Sequence, residues 1–223
     1  MEGDIFHILN RGVEKRKIFL RQKDYLRFVH NLYDFNNADN VFLSYYNRRG
    51  QHNYRTNYGT ARSVEQLVDV LGWALVANHF HLLVHERVDG GSGVYTQKIT
   101  GGYTLHFNNE NERCGVLFQG RSKIIPVTKE RYFLHLPYYI LANVIKRIEP
   151  NWKEQGIKNF KKVIDYLENY KWSAFQDLIG KSNFPFVINK ELFYEFFDTD
   201  EKRFKKEFIN WLNDYNPTEV RDP

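Results

Sequence analysis

The sequence has little cysteine, proline or methionine, and it has no long apolar run. Its single cysteine, Cys114, excludes an internal disulfide and a zinc site built from several cysteines. No apolar stretch approaches the roughly 20 residues that a membrane-spanning helix needs. The first residues, MEGDIFHILN, lack the basic and apolar segments that mark a secretory signal peptide. We therefore expect a cytoplasmic protein with no membrane partner.

What is present describes a globular chain with a mild excess of positive charge. The 223 residues are 42% hydrophobic and 17% aromatic, which is enough for one domain or for one domain with an appendage. A soft boundary near residues 180–185 predicts a main domain over 1–180 and a helical C-terminal extension over 181–223. The formal net charge of +5 favours a polyanionic partner without identifying it.

The hydrophobic pattern alternates between short strands and helices along the chain. We predict strands and helices at these positions: strands 5–10, 68–76, 79–86 and 116–127, and helices 23–35, 94–109, 129–148, 160–169, 191–197 and 201–215. The second and third strands are close enough to form a tight antiparallel hairpin. This pattern predicts an α+β fold, with an antiparallel sheet of about four or five strands and helices on one face.

Three stretches interrupt or weaken this pattern. Residues 36–60 are rich in Asn, Tyr, Arg and Gly, and we interpret them as a long polar loop with a minor strand at 41–46. That loop suits either DNA contact or a flexible insertion. Residues 89–93 read as a plain loop, and Gly101-Gly102 weakens the helix that follows. Pro137 can kink the helix at 129–148 or open a second helix.

The segment NHFHLLV places two histidines on one side of a strand. Residues i and i+2 of a strand point to the same face, so His79 and His81 lie side by side. Two neutral imidazoles at that spacing make half of a divalent-metal site, which oxygen ligands could complete for Mg²⁺ or Mn²⁺. The alternative is a pair of surface histidines on an edge strand. His85, further along the same face, is interpreted as a rim residue.

The segment YYILANV adds a tyrosine and an amide at helical spacing. Tyr139 and Asn143 are i and i+4, so they lie on one helix face a turn apart. A hydroxyl nucleophile gains reactivity when it is positioned beside a metal ion that offsets developing phosphate charge. The chain has 15 tyrosines, however, and the residues alone do not separate Tyr139 from three other candidates, Tyr103, Tyr132 and Tyr138.

Taken together and in order, these segments resemble a known family. NHFHLLV, the stretch ending in FQGRSK, YYILANV and KWSAFQDLIG resemble the IS200-like transposases and their relatives, the REP-associated tyrosine transposases. These are single-tyrosine HUH enzymes, in which two histidines flank a hydrophobic residue. The opening segment HILNRGVEKRKIFLRQKDYLRF also resembles the start of that family. The resemblance covers residues 5 to about 180.

The resemblance implies a ferredoxin-like HUH endonuclease fold and a specific division of roles. His79, His81 and Asn143 match the metal ligands, for Mg²⁺ or Mn²⁺, and Tyr139 matches the nucleophile. The implied activity is metal-dependent cleavage of single-stranded or hairpin DNA through a 5′-phosphotyrosine, followed by strand joining, by a monomer or a homodimer. Two alternatives stay open: a domesticated protein that binds hairpin DNA without cutting it, and a metal hydrolase that uses water.

Two residues depart from the family pattern. Val144 stands where the family has proline after the asparagine, which we expect to alter only the helix end. Pro137 is unexpected just before the tyrosines, and a shifted helix register would make Tyr138 the nucleophile. Tyr103 is a third candidate because its helix also precedes the predicted arginine strand.

The expected DNA contacts are basic residues at strand ends in the matched segments. We predict that Arg11, Arg121 and Lys123 contact phosphates, with ordinary surface charge as the alternative. Trp172 could stack on a base, although anchoring the C-terminal segment is the better interpretation.

Overall fold

A computed structural model of the chain describes residues 5–38 and 65–215. The minor strand predicted at 41–46 and most of the polar loop at 36–60 lie outside the described residues. Among the described helices, none combines the length and apolar character needed to cross a membrane.

The described chain folds into one four-stranded antiparallel sheet with helices. In chain order the elements are β1 (Ile5–Arg11), α1 (Gln22–Asp34), β2 (Val68–Val76), β3 (His79–Glu86), α2 (Gly91–Glu110), β4 (Lys123–Pro126), α3 (Glu130–Ala142), α4 (Trp152–Gln155), α5 (Phe160–Asn169), α6 (Phe175–Leu178), α7 (Lys190–Phe196) and α8 (Glu201–Asn213). The strand order is β2-β3-β1-β4. The first six elements therefore form the βαββαβ arrangement of ferredoxin-like folds. The predicted α+β class with an antiparallel sheet is confirmed.

Helices cover both faces of the sheet rather than the one face that we expected. On one face Phe80 of β3 packs against Phe28 of α1, with ring centroids 4.9 Å apart. On the other face the neighbouring His81 packs against Tyr139 of α3, at 6.2 Å. The signal for two covered faces is β2, whose nine residues are all buried. Its sequence VDVLGWALV lacks the polar alternation of a half-exposed strand.

The predicted strand over 116–127 is wrong for most of its length. Only Lys123–Pro126 pairs with β1 as a strand, and Phe118 forms an isolated bridge with Gly12. Gly120, with φ of 78°, turns the chain between them. The amide of Asn10 holds this turn by donating to the Gly120 carbonyl and to the Ser122 hydroxyl.

The helix predicted over 129–148 ends as an α-helix at Ala142 and continues as a 3-10 turn over Asn143–Arg147. The cause is local. The Asn143 side-chain amide donates to the Tyr139 carbonyl, while the Asn143 backbone N–H donates to the Ile140 carbonyl. The backbone N–H of Asn143 thus bonds to the carbonyl three residues before it instead of four, and this tightens the last turn into a 3-10 turn.

The start of α2 also differs from the prediction. The helix begins at Gly91, inside the predicted loop at 89–93.

Close helix packing explains the second glycine of the pair within α2. A Cβ on Gly102 would lie 2.5 Å from the Phe35 ring, so only glycine fits there. Gly101, by contrast, faces open space. The helix thus accepts a residue of low helix propensity where α2 crosses the end of α1.

The C-terminal helices pack against α3 and the edge of the sheet. Tyr138 stacks on Phe204 of α8, with ring centroids 5.6 Å apart, and Trp211 donates to His135. Trp172 stacks on Tyr25 at 5.0 Å, and its carbonyl accepts from the backbone N–H of Leu75 in β2. In this structure Trp172 therefore anchors the C-terminal segment.

Candidate metal and tyrosine site

The two histidines of NHFHLLV lie on the sheet face covered by α3. The rings of His79 and His81 have centroids 5.1 Å apart. The antiparallel pairing sets Arg11 directly opposite His79, and Leu9 opposite His81. Phe80, between the histidines, points into the core on the opposite face.

Gly12 fixes the end of β1 against the turn that precedes the histidines. Its backbone N–H donates to the Asn78 carbonyl at 2.8 Å. A Cβ on Gly12 would lie 2.4 Å from the Arg16 carbonyl oxygen, so the turn has no room for a side chain. The backbone next to His79 is therefore held by a glycine-dependent contact.

The Nδ1 atoms of both histidines are in hydrogen bonds, and their Nε2 atoms have none among the contacts described. His79 Nδ1 lies 2.7 Å from Asn78 Oδ1, and an amide oxygen only accepts, so this nitrogen carries the proton. His81 Nδ1 lies 2.9 Å from His7 Nε2. His7 Nδ1 lies 2.9 Å from the Tyr132 hydroxyl. When His81 donates from Nδ1 to His7, its Nε2 has a free lone pair, which is how ligating histidines are usually held.

The histidine cluster is held neutral by its surroundings. Burial lowers the pKa of His7 to about 3. Burial, followed by the charges of Arg11, Lys146 and Lys153, lowers the pKa of His79 to about 4. Burial is also the main cause that puts the pKa of His81 well below its usual value. At neutral pH all three imidazoles are therefore in the neutral form, which is the form that binds metal ions.

Among the candidate tyrosines, Tyr139 is the one whose ring packs on the histidine pair. Its ring meets His81 edge to face at 6.2 Å, and the residue is 1% exposed. Tyr138 faces away and donates to Glu207. Tyr103 lies on the other side of the sheet, where its hydroxyl donates to the Ile18 carbonyl. Tyr132 contacts the cluster at His7. Pro137 therefore does not turn Tyr139 away from the histidines.

Asn143 lies one turn beyond Tyr139 and meets a cation that the sequence did not point to. Its Oδ1 accepts from Lys153 Nζ at 3.4 Å, and it is 7% exposed. The same Nζ donates to the Tyr139 hydroxyl at 3.1 Å and lies 4.3 Å from the centre of the Tyr139 ring. Burial lowers the pKa of Lys153 to about 8. Tyr139, Asn143 and Lys153 thus form one contact group.

Sequence reasoning missed Lys153 and His7 for different reasons. Lys153 lies in WKEQ, outside every segment that resembles the family, and no periodicity singles it out. His7 offered a weak signal, since it is the one ionisable residue within the strand IFHILN. A fully buried ionisable residue requires a polar partner, and here that partner is His81.

The residues present fit a divalent cation in part. The described residues contain no group of three or more His, Cys, Asp or Glu that could hold a metal ion. A cation would therefore depend on the Nε2 atoms of His79 and His81, an amide oxygen, and oxygens from phosphate or water. That mixture of nitrogen and oxygen donors suits Mn²⁺ or Mg²⁺.

The three expected phosphate contacts lie at the same end of the sheet. Arg11 of β1 pairs with His79 of β3. Leu9 of β1 pairs with His81 of β3 along one edge and with Lys123 of β4 along the other. Directly paired residues point to the same face, so Arg11 and Lys123 share the histidine face. Arg121 is exposed in the turn held by Asn10.

No family model and no curated protein matches the chain. One solved structure is similar, that of a REP-associated tyrosine transposase bound to a REP hairpin. The match covers 84% of this chain and 86% of that one, with 13% sequence identity and a TM-score of 0.47.

Proposed function

We propose that this chain is a metal-dependent DNA endonuclease and strand transferase of the single-tyrosine HUH type. Its substrate would be single-stranded or hairpin DNA, and Tyr139 would be the nucleophile. One observation supports the proposal above the others: the Tyr139 ring packs on His81, beside two imidazoles whose Nδ1 atoms are both in hydrogen bonds. The order of the matched sequence segments supports it independently.

The proposed reaction is a transesterification. A divalent cation on His79, His81 and Asn143 would polarise a phosphate oxygen and offset charge in the transition state. The Tyr139 oxygen attacks phosphorus, so that an O–P bond forms while the bond to the 3′ oxygen breaks. The phenol proton goes to solvent, and the 3′ oxygen takes a proton from solvent. The products are a 5′-phosphotyrosine and a free 3′-OH, and joining is the reverse reaction without ATP.

The basic residues of the histidine face would position the DNA. Arg11 and Lys123 lie on that face in β1 and β4, on one side of the histidines, and Arg121 lies in the adjoining turn. Phosphate contacts of this kind fix the register of the strand without reading its sequence. They would place one phosphate over the histidine pair and leave the neighbouring nucleotides unspecified.

The test is covalent capture of labelled DNA on a denaturing gel in the presence of Mn²⁺. The wild-type chain should form a protein–DNA adduct with a hairpin oligonucleotide that has single-stranded flanks. Tyr139→Phe should abolish the adduct, because the ring remains while the attacking oxygen is lost. Tyr138→Phe and Tyr103→Phe are the matched controls and should retain it. An adduct that persists in Tyr139→Phe contradicts the assignment of the nucleophile.

Two further results separate the rival functions. The double variant His79→Ala, His81→Ala should lose the adduct while hairpin binding largely survives, because affinity comes chiefly from basic groups elsewhere. Cleavage at the wild-type rate in that variant would sink the metal site. Binding by the wild-type chain with no cleavage identifies a binding protein. Cleavage with no adduct identifies a hydrolase.

A further inference from the structure

Lys153 is placed against the proposed nucleophile by a short, well-anchored helix. It belongs to α4, in which the preceding residue, Trp152, is 1% exposed and packs on the Tyr215 ring at 4.7 Å. The Lys153 side chain then lies across the Tyr139 ring, with Nζ 3.1 Å from the hydroxyl oxygen. The backbone of α4 therefore aims a cation at one oxygen atom of the site.

We propose that Lys153 is a catalytic residue whose ammonium binds the attacking oxygen of Tyr139. The inference rests on the proposed function and deepens it. Negative charge develops on the phenol oxygen as its proton leaves, and a donor already in place stabilises that charge without reorganisation. Asn143 Oδ1, 3.4 Å from the same Nζ, helps to hold the ammonium there. Lys153 keeps its own protons throughout.

The same contact serves both directions of the reaction. In cleavage, the ammonium stabilises the phenol oxygen while its bond to phosphorus forms. In joining, the 3′-OH gives its proton to solvent and attacks the phosphotyrosine. The O–P bond to Tyr139 breaks, and the Tyr139 oxygen leaves with negative charge until solvent returns a proton. A donor at that oxygen lowers the barrier for a phenolate leaving group as well as for a phenolate nucleophile.

A different role for Lys153 makes the opposite prediction. Tyr139 is 1% exposed, so Lys153 could instead act as a cap that shields the hydroxyl until DNA arrives. Removal of a cap should accelerate adduct formation. Removal of a catalytic cation should slow it.

The experiment measures single-turnover adduct formation with DNA and Mn²⁺ both saturating. Lys153→Met keeps the length of the side chain and removes the charge, and we expect it to slow the reaction about 100-fold. Lys153→Arg restores a cation and should recover part of the rate. Lys146→Met is the matched control, because exposed Lys146 also lowers the pKa of His79 but has no contact with Tyr139 among those described. It should stay within about twofold of wild type.

A second readout needs neither DNA nor turnover. Mn²⁺ binding, followed by electron paramagnetic resonance, should be tighter in Lys153→Met than in wild type, because a positive charge beside the proposed ligand Asn143 is gone. A variant that had lost its structure would bind Mn²⁺ more weakly. A slower rate with tighter Mn²⁺ binding therefore supports the proposal.

The remaining outcomes overturn it. Adduct formation by Lys153→Met at or above the wild-type rate removes Lys153 from catalysis and leaves the proposed function intact. A slower rate with weaker Mn²⁺ binding assigns Lys153 to structure alone. If the wild-type chain forms no adduct, the proposed function fails and the role of Lys153 fails with it.

Discussion

The histidine face is held together by a relay of side-chain contacts that begins outside the predicted site. Tyr132 meets His7, and His7 meets His81. The His7 and His81 rings are also stacked, with centroids 5.2 Å apart. When His7 accepts from His81 Nδ1 in this relay, the proton of His81 is on Nδ1 and its Nε2 atom has a lone pair for a metal ion.

We predict that His7→Phe weakens Mn²⁺ binding about 10-fold to 100-fold, the range typical when the partner of a ligating histidine is lost. Phenylalanine keeps a ring against His81 but offers no nitrogen to its Nδ1. Calorimetric titration of Mn²⁺ measures the effect. His85→Gln is the matched control, since His85 lies further along the same strand and contacts Asp69 and Phe196. Equal Mn²⁺ affinity in His7→Phe and wild type would show that the relay does not govern the site.

At the level of the elements, the crossing of α1 and α2 depends on one glycine of an adjacent pair. Gly102→Ala should destabilise the fold by about 1–3 kcal/mol, because the new methyl group overlaps the Phe35 ring and the core must shift. Gly101→Ala is the paired control. It adds the same methyl group in open space and should stabilise the helix by up to about 1 kcal/mol. Urea unfolding measures both, and equal effects at the two positions would contradict the packing account.

The elements that the sequence predicted well are those governed by local periodicity. The bounds of β2, β3 and α5 were predicted to the residue, because the apolar runs of the two strands and the helical spacing of α5 end sharply there. The strand at 116–127 was wrong because its apolar residues pack individually while Gly120 turns the backbone. Gly120 lies in the polar stretch QGRSK between two apolar stretches, and sequence periodicity does not register a positive φ at such a position.

The site was predictable only where its residues follow one another along the chain. His79 and His81 share a strand, and Tyr139 and Asn143 share a helix turn, so spacing and resemblance found them. His7 reaches the site from β1, 74 residues before His81, and Lys153 reaches it from α4, a separate helix 10 residues after Asn143. Contacts of that kind depend on how the elements dock, which a single sequence does not state.

At the scale of the whole molecule, the sheet separates two environments. One face holds the aromatic core under α1 and α2, while the other holds the histidine cluster under α3. We propose the division at residue 180 as before, with α7 and α8 in the extension. α8 packs on α3 through Phe204, which stacks on Tyr138, a residue that faces away from the histidines. The extension thus supports the helix that contains Tyr139.

Burial of neutral histidines makes the stability of the whole fold depend on pH. An imidazole in the unfolded chain titrates near pH 6.5, whereas the folded pKa is about 3 for His7 and about 4 for His79. Between these values the unfolded chain binds more protons, so stability is complete above about pH 6.5 and falls as the pH drops toward the folded values.

We predict a loss of about 1.4 kcal/mol per pH unit for each such histidine between pH 6 and pH 5, in the absence of metal. Urea unfolding at a series of pH values, with EDTA present, measures the slope. In His7→Phe, the slope of unfolding free energy against pH should be shallower by about 1.4 kcal/mol per pH unit, because one fewer proton is taken up on unfolding. A stability that stays level from pH 7 to pH 5 would mean that the folded and the unfolded chain take up protons equally, so that burial does not lower the pKa of these histidines.

The charge of the histidine face should govern how the whole molecule holds DNA. If Arg121 and Lys123 each contact a phosphate, then Arg121→Glu and Lys123→Glu should weaken hairpin binding. Each should also flatten the dependence of log affinity on log salt, by roughly 0.7–0.9 units, because one fewer counterion is released. Lys161→Glu, which makes the same charge change on an exposed residue of α5, is the control for net charge.

The measurement is the hairpin affinity of each variant, by fluorescence anisotropy, at salt concentrations from about 50 to about 300 mM. If the two variants and the Lys161 control shift the slope equally, the effect comes from net charge, and the DNA does not cross the histidine face at these residues. A change confined to Arg121 and Lys123 would place the DNA backbone along the sheet end where Arg11 faces His79, within reach of Tyr139.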